Sequence, residues 1–129
     1  MPPAPIVFFD IAGPGATKLA DFYEMIFGWQ INRNTPFPGA DAIPAVPVVA
    51  PLPGTLRGVD AGDDPQLRKV IYIGVDDINA TMAKITAAGG GVHQPRFEVP
   101  GVVILGLFKD PAGNLLGLVE MKDGKVKSP

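Results

Sequence analysis

The sequence has no cysteine, a single histidine, a single tryptophan and no apolar run approaching the roughly 20 residues that cross a bilayer. Without cysteine there is no disulfide framework, no thiolate nucleophile and no Cys-ligated zinc. With His93 alone, triad hydrolysis has one candidate base, and zinc hydrolase or His-rich iron chemistry lacks its set of imidazoles. Eleven basic against thirteen acidic residues leave a formal charge of -2 with no basic stripe. The phosphate-driven affinity of a nucleic-acid binder is therefore not expected. The start MPPAPIVFF has neither the basic flank nor the cleavage pattern of a signal peptide. These absences together predict a soluble, cytoplasmic chain with no nucleic-acid or membrane partner.

What is present is apolar and periodic. At 129 residues, 47% of them apolar, the chain is long enough for one domain or two small fused halves, hiding roughly two-thirds of its unfolded surface. IVFFDI (6–11) reads as a strand and runs through AGPGA into TKLADFYEMIFGW. There Leu19, Phe22, Tyr23, Ile26 and Phe27 recur at helical spacing, with Gly28 placed to cap the end. KVIYIGV (69–75) is a second such strand, followed by a helix that Asp76 or Asp77 can cap, that buries Ile78, Met82 and Ile85, and that Gly89 ends. Short strands are expected near 29–34, 42–50 and 55–60 after the first helix, and near 92–98, 102–109 and 114–121 after the second. Asp110, Pro111 and Gly113 suit positions one, two and four of a type I turn before the last of these. Prolines 36, 38, 44, 47, 51 and 53 crowd the first half, where they favour edges and loops.

Each half thus reads as βαβββ, the first over about 5–62 and the second over about 68–121, with a short tail at 122–129. GTLRGV (54–59) and GNLLGL (113–118) keep Gly, Leu and Gly in register, Gly54 falling 59 positions before Gly113. An internal duplication accounts for that match.

The residues VFFDI leading to FYEMIFGW, then VDDINATMAKITAAGG, then VPGVVILGLFKDPAGNLLGLVE resemble the vicinal oxygen chelate superfamily of glyoxalase I, bleomycin-resistance proteins and extradiol dioxygenases. The resemblance runs from about Ile6 to Glu120. It implies an α+β fold of two βαβββ modules whose curved mixed sheet forms a cup with helices on the convex side. It also implies a homodimer, since cups in this superfamily are often completed across subunits. Metal-dependent members place four ligands in the cup, one on the first and one on the last strand of each half. Carried over, these positions fall on Phe8, on Val70 or Ile71, on Gly58 and on Gly117. None has a donor side chain, so neither a metal nor another cofactor is expected.

Strand alternation around those positions nominates a mostly apolar ligand-binding face of Phe8, Asp10, Leu56, Gly58, Asp60, Val70, Tyr72 and Gly117, widened by its two glycines. Asp10 and Tyr72 are its candidate catalytic residues. Asp10 has a raised pKa if desolvated and unpaired, which suits a general base; bonded to the following glycine-rich turn, it is structural. Arg57 and Glu120 are expected on the other face, Glu120 as a solvated strand end near Lys109 or Lys122. Trp29 is assigned to core packing and His93 to the surface. AGPGATK lacks both the P-loop spacing and a third glycine, so it reads as a strand-to-helix turn. The functional expectation is a binder of a small organic molecule, similar to the bleomycin-resistance branch. The alternative is a lyase, isomerase or dioxygenase working through Asp10, Tyr72 or an unorthodox metal site.

Overall fold

The computed structural model describes residues 3–33, 45–50, 52–58 and 64–129. Among them are two α-helices and nine strands, an α+β composition. The chain divides into two compact units, one of Phe8–Val70 and one joining the N-terminal residues up to Val7 with Ile71–Pro129.

In the unit Phe8–Val70, β1 (Ile6–Gly13) leads into α1 (Ala16–Phe27), β2 (Gln30–Ile31), β3 (Ala45–Ala50) and β4 (Gly54–Gly58), followed by a short 3-10 turn at Pro65–Arg68. The strand order is β2-β3-β4-β1, antiparallel except for the parallel β4–β1 pair. Gly28 ends α1 in the left-handed region at φ 67°, its N–H bonded to Glu24 O at 2.9 Å, as its position at the end of the apolar run predicts. The helix sits on the sheet through its small residues. Ala20, Val48 and Leu56 form the buried centre, with Phe9, Ile11, Leu19, Tyr23 and Trp29 packed around it. Trp29 is thus a packing residue, stacked on Tyr23 with ring centroids 4.6 Å apart. Phe22, Ile26 and Phe27, which share the expected helical pattern, stay exposed together with Met25. Helical spacing alone does not say which of two apolar stripes turns inward. Pro47 lies within β3 beside the two-residue β2; Pro36, Pro38, Pro44 and Pro51 lie outside the described residues.

In the other unit, which takes β5 (Lys69–Val75) from Ile71 on, that strand leads through α2 (Ile78–Ala87) to β6 (Gly91–Val99), β7 (Val103–Lys109), β8 (Leu115–Lys122) and β9 (Lys125–Val126). The order is β5-β8-β7-β6, with β9 also on β8 and β5–β8 as the parallel pair. Asp77 caps α2, its Oδ1 accepting from Ala80 N at 3.0 Å. The far end closes with Gly89 at φ 96°, Gly89 N donating to Thr86 O and Gly90 N to Ile85 O. This is the paired-bond C-terminal motif that favours glycine. Ile78 and Met82 face inward onto Ile104, Phe108 and Leu118, with Ile85 at the margin. The Asp110 turn also forms, Gly113 N donating to Asp110 O at 2.9 Å. Asn114 and Ala112 donate to the Asp110 carboxylate, and the Asn114 bond leads the causes that lower its pKa. Asp123 (φ 54°) and Gly124 (φ 76°) turn the chain from β8 into β9, the two-positive-φ geometry that an Asp-Gly pair suits.

Glu120 departs from its expected place at a solvated strand end. It is 4% exposed, on the α2 side of β8. Arg96, reaching across from β6, donates to Oε2 from Nε at 2.8 Å and to Oε1 from Nη2 at 3.2 Å. The backbone N–H of Ile78, at the start of α2, donates to Oε2 at 3.2 Å, and Lys127 Nζ lies 3.7 Å from Oε1. Parity put this carboxylate on the helix side; the helix terminus and two cations then made it a buried anchor, as a helix N-terminus favours an anion.

The Arg96 hydrogen bond, more than any other influence, holds the Glu120 carboxyl below its ordinary 4.5, against the opposing effect of burial. A lowered carboxyl pKa contributes stability that is complete above the ordinary value and is lost as the pH falls through the lowered one. The urea midpoint of the protein should therefore drop as the pH is taken below about 4.5. Glu120→Gln should start from a lower midpoint at neutral pH and lose less across the same acid range. Parallel pH curves for the two proteins would contradict this assignment.

Candidate functional site

In a parallel pair, residues side by side point to the same face of the sheet. The β1–β4 register sets Phe9 beside Gly54, Asp10 beside Thr55, Ile11 beside Leu56, Ala12 beside Arg57 and Gly13 beside Gly58. Phe9, Ile11 and Leu56 are on the α1 side. The opposite face carries Phe8, Asp10, Ala12, Thr55 and Arg57. This overturns the sequence-based assignment of two residues: Leu56 is fully buried in the α1 core, and Gly58 shares its side of β4. Arg57, expected on the far face, stands with Asp10. Asp60 lies outside the described residues.

Asp10 is 5% exposed and engaged on both oxygens. Thr55 Oγ1 donates to Oδ1 at 2.6 Å, and Arg57 Nε donates to Oδ2 at 3.0 Å. Arg57 Nη2 also donates to Leu67 O at 3.1 Å, tying the 3-10 turn to the strands. Asp10 is therefore neither the unpaired base nor the turn-capping carboxylate of the two sequence readings. It is one half of a charge pair with a hydroxyl beside it, the state in which a buried carboxylate is stable as an anion. Thr55 and Arg57 were missed because their partner is 45 or more positions away in sequence.

The equivalent strands of the other unit pair Tyr72 with Gly117, Ile73 with Leu118, Gly74 with Val119 and Val75 with Glu120. Ile73, Val75, Leu116 and Leu118 pack towards α2, leaving Tyr72, Gly117 and Val119 on the opposite face, in the parity expected. Val70 precedes Tyr72 by two on β5 and is buried. Gly117 does not widen this face. A Cβ built there would collide with Tyr72 Cδ1 and Cε1, so the glycine seats the tyrosine ring. His93 is exposed on β6.

The registers also relocate one position of the family's metal set. Phe8 precedes α1 by eight residues, from 8 to 16, and Val70 precedes α2 by eight, from 70 to 78, so these two correspond. Gly117 pairs two residues beyond Val70; the residue pairing two beyond Phe8 is Thr55, not Gly58. The four positions thus carry a phenyl ring, an isopropyl group, a hydroxyl whose proton goes to Asp10, and no side chain. None of these residues is a carboxylate, imidazole or thiolate donor of the kind a divalent ion takes, so they do not fit one. Among the described residues, no three of His, Cys, Asp and Glu cluster where they could hold one.

The fold is shared with solved structures. One is a methylmalonyl-CoA epimerase from Mycobacterium tuberculosis, at a TM-score of 0.69 and 14% identity, covering 91% of this chain and 87% of that one. The model of the Glyoxalase/Bleomycin resistance protein/Dioxygenase superfamily matches residues 6–118, and the chain belongs to that family. Among curated relatives, the putative glyoxylase CFP32 of Mycobacterium tuberculosis is 32% identical over 105 residues, 75% of this chain and 38% of the relative. The anthracycline biosynthesis protein DnrV of Streptomyces peucetius is 29% identical over 125 residues, 87% of this chain and 45% of the relative. The chain spans less than half the length of both.

Two sets of substitutions test the site's construction. Arg57→Ala should strand a buried carboxylate and cost about 3 kcal/mol in urea unfolding, while the Asp10→Asn/Arg57→Met double variant should cost less than the sum of its singles. Additive effects would show that the pair is not coupled. Gly117→Ala should cost about 1–3 kcal/mol by overpacking against Tyr72, a cost that Tyr72→Ala should remove in the double variant.

Proposed function

We propose that the protein binds a small organic molecule on the face of β1 and β4 that carries Phe8, Asp10, Thr55 and Arg57, with side chains rather than a metal ion holding it. The supporting observation is the Asp10–Thr55–Arg57 group itself. A buried anion, a hydroxyl and a guanidinium 23% exposed along its side chain stand together on that face, the hydroxyl at a strand position where such relatives hold a ligand. An otherwise apolar surface with a few oriented polar groups is the composition of a small-molecule site. Tyr72 and Gly117 are the corresponding positions of the other unit, where an aromatic ring takes the space of a family ligand.

Sequestration without turnover is favoured over acid-base catalysis. A catalytic carboxylate must exchange a proton with its substrate, and Asp10 is held by a cation and a hydroxyl on its two oxygens. The family model names bleomycin resistance, and DnrV is named for anthracycline biosynthesis. Large oxygen-rich aromatic compounds are therefore the first ligand class to test, ahead of the small 2-oxoaldehyde adducts of glyoxalase chemistry. The latter's proton transfer is a metal-assisted step, and the donor set described above does not fit a metal.

Calorimetric titration of the purified protein with an anthracycline, bleomycin, methylmalonyl-CoA and the glutathione–methylglyoxal adduct, with product analysis of each mixture, tests this reading. The expected result is saturable binding of one of the aromatic compounds, unchanged on adding Zn, Ni or Mn, weakened about tenfold or more by Arg57→Leu, with the compound recovered intact. Turnover that appears only on loading one of those metals would overturn it.

A further inference from the structure

Arg57 is a long side chain set between two short ones. The strand registers place Ala12 of β1 and Ala45 of β3 directly beside it, so each neighbouring strand puts a single methyl group alongside. Thr55, with Pro47 beside it on β3, continues the same face. A flat ring system can approach closely over such small groups.

The guanidinium is fixed at one edge and held more loosely at the other. Nε donates to Asp10 Oδ2 at 3.0 Å, while Nη2 donates to Leu67 O at 3.1 Å and Nη1 to Gly58 O at 3.5 Å. Asp10 is in turn fixed by Thr55 Oγ1 at 2.6 Å, so the edge bearing the two Nη atoms keeps one direction. Its acceptors Leu67 O and Gly58 O are uncharged carbonyls, and 3.5 Å is longer than a good hydrogen bond. A carboxylate offers that edge two anionic oxygens in the parallel, bidentate geometry that a guanidinium matches. The exchange is also cheap on the protein's side. Leu67 belongs to the turn Pro65–Arg68, which has no buried residue, so a carbonyl released there is taken up by water.

Charge alone does not select the ligand. Among the described residues of the face and the turn with its flanks, Asp10 and Asp64 stand against Arg57, Arg68 and Lys69. A cationic ligand gains little from Asp10, which is 5% exposed and engaged on both oxygens. The geometry of the Nη edge is what favours an anion.

We propose that the ligand of this face is an aromatic carboxylic acid whose carboxylate is taken end-on by Nη1 and Nη2 of Arg57, in exchange for Gly58 O and Leu67 O. This rests on the small-molecule reading of the face and adds to it the ligand's charged group and the residue that reads it. Asp10 and Thr55 are positioning residues in this arrangement, and the turn Pro65–Arg68 is released from Arg57 as the ligand binds.

Calorimetric titration of the full chain with anthraquinone-2-carboxylate, its carboxamide and 2-(aminomethyl)anthraquinone compares three head groups on one ring system. The carboxylate should bind about tenfold or more tightly than either of the others. Arg57→Lys keeps the charge and loses the fork, and should cut that advantage to about twofold or less. In NMR spectra of the wild-type chain, the carboxylate should shift the Arg57 Nε–H and the backbone amide of Arg68, whose peptide group contains Leu67 O, and the amine should leave the Arg68 amide in place. The wild-type ratio and the Arg68 shift hold as tests even if the variant fails to fold. Equal affinity for carboxylate and carboxamide, or tightest binding of the amine, overturns the carboxylate assignment and leaves the small-molecule reading standing. Binding of none of the three also overturns the proposal, and the anthracycline and bleomycin titrations then decide the wider reading.

Discussion

The parallel pairing of the first and last strand of each half decides which way nearly every important side chain points. Side chains alternate along a strand, so a shift of one residue in register would exchange the helix face for the other throughout. With Asp10 beside Thr55 and Tyr72 beside Gly117, the large aliphatics Leu56, Leu116 and Leu118 are committed to the two helices. The opposite face of each unit is left with rings and small aliphatics, and in the first unit with a hydroxyl and a charge pair. The composition of the site follows from these two registers.

Among the described residues each half buries one carboxylate, and each resolves the cost in the same way, with an arginine from another strand of its own unit. Asp10 takes Arg57 and Thr55; Glu120 takes Arg96 together with the N-terminus of α2. The two pairs have different work because they occupy different faces of their strands. Glu120 is on the helix side, where an anion can complete a helix terminus. Asp10 is on the side away from the helix, where the family holds its ligands.

Metal-dependent relatives need donors at four strand positions, and here a phenyl ring, an isopropyl group, a hydroxyl turned to Asp10 and a bare glycine stand there. The glycine belongs with its neighbour: the Tyr72 ring and Gly117 are a matched pair, since neither a carboxylate nor even a methyl group fits beneath that ring. Membership of the family thus carries the fold and leaves the chemistry to be argued from the side chains in place.

Much of this was legible in the one-dimensional pattern. Apolar strands, two helical repeats, the capping glycines, Asp77 and the Asp110 turn all depend on residues within a few positions of each other, and all formed where local chemistry placed them. The same pattern held the Asp123-Gly124 signal for the β8–β9 turn, which passed unused. What misled was the match of GTLRG to GNLLG. It is real as a repeat of letters, yet it aligns Gly58 with Gly117 when the registers align Thr55 with Gly117. That slip of three is odd in number and so changes face, which put Leu56 and Gly58 on the wrong side and Arg57 out of the site. The helical repeat of α1 likewise named its apolar residues without saying which stripe meets the sheet.

By itself, then, the sequence determined the kinds of element, their order and their ends, because these rest on local conformational preference and on side-chain chemistry. The tertiary structure decided that Asp10 and Glu120 are paired rather than free, that Tyr72 closes over Gly117, and that Phe22, Met25 and Ile26 face outward. Those outcomes depend on which distant strand lies alongside and in what register, and no spacing within a single segment encodes that.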